Sequence, residues 1–291
     1  MSLTKDSPSW SREAPAHGRS ARFTAPSPGS PFAIAIADSI EAARLVNVWG
    51  YSGWVDVVWR YRRTKIGPLW HTLSLGAFVV VMGTIWSVVL DQDPENHFRF
   101  VGTSLIAWSL LSYFVTEGTH SMLGGAPTAL AIRYPFIAFT FLHVWKAVLL
   151  FGHHFILYLL IVVGTQFNPG LTALYAIPGF ILLVANGVGI SLLVGMVSLR
   201  WRDFIPAAAS AMQIMMFVTP VLWPKDLLGP ELAYAVDYNP LYHLVRIVRD
   251  PLLGQLPPAE SWIWACGTLV VGLIVSFWAY GRCRDRIAFW Y

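Results

Sequence analysis

Six apolar runs, each close to the roughly 20 residues a helix needs to cross a hydrocarbon layer, constrain this chain more than any other feature. They lie at about 69–90, 99–119, 137–164, 171–199, 204–223 and 261–280. In lipid only a helix or a closed barrel satisfies its own backbone polar groups, and runs of this length point to helices. Charged residues make up 12% of the chain, about half the 25% usual in soluble domains, and the mean hydropathy is +0.55. The expected fold class is all-α: a polytopic membrane protein with six transmembrane helices. The third and fourth runs are long enough to tilt or to project beyond the bilayer.

Orientation follows from the stretch RYRRTKIGPLW at 60–70, where Arg60, Arg62, Arg63 and Lys65 stand directly before the first run. Short basic flanks resist translocation and stay in the cytoplasm. With both termini inside, Lys5, Arg12, Arg19, Arg22, Arg44, Arg133, Arg200, Arg202, Arg282, Arg284 and Arg286 fall on the same side. Arg99, Lys225, Arg246 and Arg249 fall outside, and Lys146 lies within a span. Topology therefore accounts for the net charge of +4, and nucleic acid is not an expected partner. Fourteen tryptophans suit membrane interfaces. Cys266 and Cys283 offer neither a disulfide framework nor metal-ligand spacing.

Residues 1–37, rich in Ser, Pro, Ala and Arg over the first 31, show no cleavable signal and are expected to be a disordered cytoplasmic tail. From 38 to 68 Trp and Val interleave with Asp, Glu and Arg, with interruptions at Gly50 and Gly53. That pattern fits an amphipathic helix lying on the membrane or a short helix packed on a partner subunit, and the tryptophans favour the membrane. Gly67-Pro68 marks the elbow into the first span. Residues 69–285 form the six-helix domain, and 286–291 a cytoplasmic C-terminal tail. Within that domain 224–260 is too long for a turn and is cut by prolines, and Leu241 to Val248 has one apolar helical face. It reads as two short re-entrant helices on the external side, capping a pathway, or as a hairpin lying on the headgroups.

Catalytic motifs are absent: the sequence has no GxxxxGK[ST], HExxH, GxSxG or CxxC. The Asp91/Asp93 pair fits an acidic translocated turn. Ionisable side chains do occur within the spans, at Glu117, His120, His143, Lys146, His153 and His154. Such groups face a bundle interior or a cavity. Glu117 and Lys146, both near the cytoplasmic face, are placed to pair, as a structural ion pair or as a polar pathway lining. Trp86, Trp108, Tyr113, Phe114, Phe217 and Trp223 are candidate lining aromatics for a carbohydrate chain, since aromatic faces suit sugar rings, although aromatics also fill helix packing.

Four separated motifs converge: RYRRTKIGPLW at 60–70, RWRDF at 200–204, TPVLWP at 219–224 and NPLYHLVRIVRDPLLG at 239–254. Together they resemble the membrane (permease) subunit of type-2 ABC exporters for O-antigen, capsular polysaccharide or teichoic acid, over about residues 40–285. The resemblance implies a homodimer that encloses a channel, together with two copies of a separate ATPase that carries ATP and Mg. It further implies a lipid-linked polysaccharide as cargo, membrane lipids as surroundings and the bacterial inner membrane as location, with no cofactor, catalytic residue or metal on this chain. Arg60, Arg62, Arg63 and Lys65 would meet the substrate phosphates at the channel entrance, or serve topology and anionic headgroups alone. The loop 121–136 would seat on the ATPase through Thr128, Leu130, Ile132, Arg133 and Tyr134. Here that loop reads APTALAIRYP, keeping Tyr134-Pro135 but lacking the family's Asn and Lys. Two rivals differ in class. One is an ion-coupled transporter with a relay through Glu117, His143, Lys146, His153 and His154; the other is a membrane sugar transferase, for which the sequence has no nucleotide site.

Overall fold

The computed structural model describes residues 29–62, 65–67, 69–125 and 134–290, and all its regular elements there are helical. Ser30 accepts a hydrogen bond from the Ala33 amide and Pro31 takes the first turn, so α1 spans Pro31–Arg44. It therefore begins inside the stretch expected to be tail. A break at Leu45 separates α1 from α2, Val46–Tyr61, so the expected single interface helix is two. Neither Gly50 nor Gly53 interrupts α2. At the elbow Gly67 has φ +66°, a left-handed turn that suits glycine, and α3 follows at Leu69–Val89.

Asp93 caps and Pro94 opens α4, Pro94–Thr116, which a single 3-10 turn, Gly118–His120, extends. Then come α5, Ile137–Gly164, and α6, Ala176–Arg200. After α7, Phe204–Val218, the two short helices α8, Pro230–Asp237, and α9, Pro240–Leu252, precede α10, Ala259–Trp290. α10 runs unbroken through residues 286–290, which the sequence assigned to a tail. Five helices among the described residues are long and apolar enough to cross a membrane. The expected span at 204–223 is shorter: α7 stops after 15 residues, about 22 Å, against a hydrocarbon core of about 30 Å. Thr219 to Leu222 then form a buried turn.

α4 is the centre of the bundle, with α3, α5, α6, α7 and α9 packed around it. α6 lies along α10, and α1 lies across α10 at its C-terminal end. Gly281 permits that crossing, since a Cβ there would overlap the Pro31 carbonyl. Asp38, buried in α1, accepts from Arg284 at 2.6 and 3.1 Å and from the fully buried Tyr280 hydroxyl at 2.8 Å.

α9 is embedded rather than exposed, packed on α4, α6 and α10. Its charges are paired: Arg246 Nε donates to Asp250 at 2.7 Å and Arg249 Nε at 3.0 Å, while Arg249 Nη1 donates to the Pro220 carbonyl at 3.0 Å. His243 is also buried. Its Nε2 donates to the Asp237 carbonyl at 2.8 Å, leaving Nδ1 to accept from Ser261 at 3.0 Å, and its ring stacks on Trp264 at 5.5 Å.

Two outcomes follow from these contacts. Asp38→Ala strands a buried hydroxyl and part of a guanidinium, so it lowers stability in detergent by about 2 kcal/mol, read as a fall in thermal midpoint; an unchanged midpoint removes the contact's role. Burial lowers the His243 pKa, although the Asp237 carbonyl pulls it the other way. The folded group thus binds its proton later than the unfolded one, whose pKa is about 6.5. The stability it confers is full above that pH and falls as pH drops through the lower folded value. Amide exchange of 237–252, corrected for intrinsic rate, should accelerate between pH 7.5 and 5.5, and His243→Gln should flatten that response.

Candidate functional site

The polar residues of the spans converge beneath α2. This helix docks on α5: Trp145 Nε1 donates to the Gly50 carbonyl at 3.1 Å, a Cβ at Gly53 would press on the Trp145 ring, and Val57 packs on Leu150. Beside that contact a cavity of about 400 Å³ opens. Ser52, Asp56 and Arg60 of α2 line one wall. Tyr113, Glu117, His120 and Ser121, from the end of α4 and its 3-10 turn, line a second, and His143 and Lys146 of α5 a third.

The ion pair in this cavity is not the expected one. Lys146 Nζ lies 3.2 Å from Asp56 Oδ2, so its carboxylate partner comes from α2, while Glu117 shares the cavity as a second acid. Glu117 is the C-cap of α4, where a negative charge opposes the helix dipole by about 0.3–1 kcal/mol; Arg60 and Lys146 in the same cavity offset this. His143 is buried and stacks on Tyr113 with ring centroids 5.1 Å apart, and its Nε2 has no hydrogen-bond partner among the described residues. Buried polar atoms are nearly always bonded, so this enclosed nitrogen is an exception within the cavity wall. Two cations suit phosphate oxygens through charge-assisted contacts. The two carboxylates and the serine hydroxyls suit sugar hydroxyls.

The other expected site residues are dispersed. Arg62 is exposed, 4.8 Å above the Trp59 ring, and Lys65 is exposed; neither lines the cavity. Arg63, Thr128, Leu130, Ile132 and Arg133 lie outside the described residues. The cavity does reach Gly124 and Gly125, directly before that loop. Tyr134, on its far side, is half-buried against Phe139 at 5.2 Å. Among the six aromatics only Tyr113 reaches the cavity. Trp108 and Phe114 are core residues, 5% and 0% exposed, and Trp86 packs on the same core. Phe217 is exposed on α7, and the half-buried Trp223 donates its indole N–H to the Phe217 carbonyl at 3.1 Å. His154 bonds Ser109 at 3.0 Å and His153 bonds the Leu149 carbonyl at 2.8 Å, both outside the cavity lining.

No family model matches the sequence. Two curated proteins are similar to it, both O-antigen export system permease protein RfbA of Klebsiella pneumoniae. One is 24% identical over 242 residues, covering 80% of this chain and 90% of the relative. The other is 23% identical over 244 residues, with the same coverage. This similarity bears out the resemblance to an ABC-exporter permease subunit read from the motifs. With the five long apolar helices, it makes the chain a multi-pass membrane protein.

The cavity geometry separates two charge swaps. Asp56→Lys with Lys146→Asp should restore the protein level and thermal midpoint that each single change reduces, by up to about 1 kcal/mol for a partly exposed pair. Glu117→Lys with Lys146→Glu should not. Rescue by the second swap alone would overturn the assignment of Asp56 as partner.

Proposed function

We propose that this chain is the channel-forming subunit of an ABC exporter that carries a lipid-linked polysaccharide, of O-antigen or capsule type, across the bacterial inner membrane. The observation that carries this reading is the similarity to two O-antigen export permeases over 80% of the chain. Two copies enclose the path, and a separate ATPase supplies ATP and Mg. Both termini are cytoplasmic, and α7 with the turn after it makes the fifth and shortest crossing. The segment 224–260 forms the outer cap, with α9 re-entering between the spans.

Under this reading the cavity is where a phosphate-bearing headgroup and its first sugars arrive. Arg60 and Lys146 take phosphate oxygens, Asp56 and Glu117 take hydroxyls, and Tyr113 offers an aromatic face. The loop 126–133 and Tyr134 meet the ATPase. Because Gly124 and Gly125 belong to the cavity wall, a push on that loop is felt where the headgroup sits. A teichoic acid presents the same phosphate and hydroxyl chemistry and would travel the same route. A proton relay is disfavoured because His153 and His154 do not line the cavity with Glu117, His143 and Lys146.

Cells lacking the chain should accumulate lipid-linked polysaccharide on the cytoplasmic side, and the purified chain should bring an ATPase with it. Arg60→Gln should lower export roughly tenfold, the loss of about 1.4 kcal/mol of charge-assisted binding, with membrane insertion intact. Transport by the chain alone, driven by a proton gradient in liposomes, would overturn the proposal.

A further inference from the structure

A second cavity lies on the lipid side of the elbow. Between α3 and α5 runs a groove of about 640 Å³, walled by Leu69, Gly76 and Val80 on one side and Ile156 and Leu160 on the other. It opens beside Ile66, the residue after Lys65. Lys65, the neighbour of Ile66 in sequence, and Arg62 are both exposed, and neither has a carboxylate partner among the described residues.

The dimensions decide what fits. From Leu69 to Val80 the helix rises about 17 Å, close to half of the roughly 30 Å hydrocarbon core, so the groove is one leaflet deep. A single hydrocarbon chain is thin enough. Cations beside the mouth then suit the phosphate that an anionic phospholipid carries above its chains.

We propose that Arg62, Lys65 and the α3–α5 groove form a binding site for one anionic phospholipid, with one acyl chain lying in the groove. The bound lipid clamps the elbow to α5, the helix that also carries Lys146. This site is independent of what the protein exports.

Native mass spectrometry of the full chain, titrated with phosphatidylglycerol or phosphatidylcholine of identical acyl chains, tests it. Phosphatidylglycerol should bind one high-affinity equivalent, preferred by about fivefold for each cation engaged. Arg62→Gln with Lys65→Gln should erase that preference. Gly76→Leu, at a position where a Cβ already meets Leu157 Cδ1 at 3.3 Å, should weaken both lipids. Leu160→Trp, on the 63% exposed wall, should do the same without disturbing the core. Equal binding of the two lipids, undiminished binding in both groove variants, or stoichiometric displacement of phosphatidylglycerol by a polyisoprenyl phosphate would each overturn the proposal.

Discussion

The guanidinium of Arg249 is the contact on which half of the molecule depends. α7 ends at Val218, and the turn that follows is buried although it has no helical ladder of its own. In a hydrocarbon setting each unsatisfied backbone group costs several kcal/mol. Arg249 meets that demand at the Pro220 carbonyl, and Asn239 Nδ2 donates to Thr219 Oγ1 at 2.9 Å. The guanidinium is itself costly to bury alone. Asp250 neutralises it, and the Phe100 ring lies 4.8 Å beneath it. Thus the broken seventh helix and the charged ninth helix solve each other's problem, and neither arrangement stands without the other.

The opposite end uses a different device. There α1 is tied to the end of α10 through Asp38, Tyr280 and Arg284, and α2 is tied to α5 through Trp145 and Lys146. These helices expose Ile36, Ile40, Tyr51, Trp54 and Trp59, so their outward face suits a membrane interface. The polar cavity lies under α2, which holds to the bundle by an aromatic N–H, one partly exposed ion pair and a small apolar contact. A displacement of α2 would therefore change the cavity before it strained the densely packed α4, α6 and α9.

What the sequence revealed follows from which signals are local. Span length is a sum over neighbours, so five long helices were legible from hydropathy. The fifth run was read too long because Thr219 to Trp223 is apolar whether or not it is helical, and only Pro220 hinted at the break. Ser30-Pro31 is a cap signal that composition concealed by assigning it to a Ser/Pro-rich tail. Trp108 and Phe114 were indistinguishable from channel aromatics, since an aromatic within a span carries no mark of which face it occupies. Asp56 looked like one acid on an amphipathic face. Its partner is 90 residues away, and such pairing is a product of packing that no local pattern records. Arg246 and Arg249 were counted only as charges on the external side for the same reason.

Polar groups inside a bundle serve the fold or serve a ligand, and hydrogen-bond saturation separates the two. Around Arg249 the donors find Asp250 and the Pro220 carbonyl, so that cluster is explained by folding alone. Elsewhere six buried side chains among those described keep a polar atom without a partner: Thr72, His97, Ser104, Thr140, His143 and His154. His143 lines the polar cavity and Thr72 lines the apolar groove. A fold selected for stability alone would satisfy these atoms or replace them with apolar groups of the same shape, which is close to neutral in energy. Both atoms are enclosed, so a group in either space reaches them only if the wall shifts, and the other four line neither space.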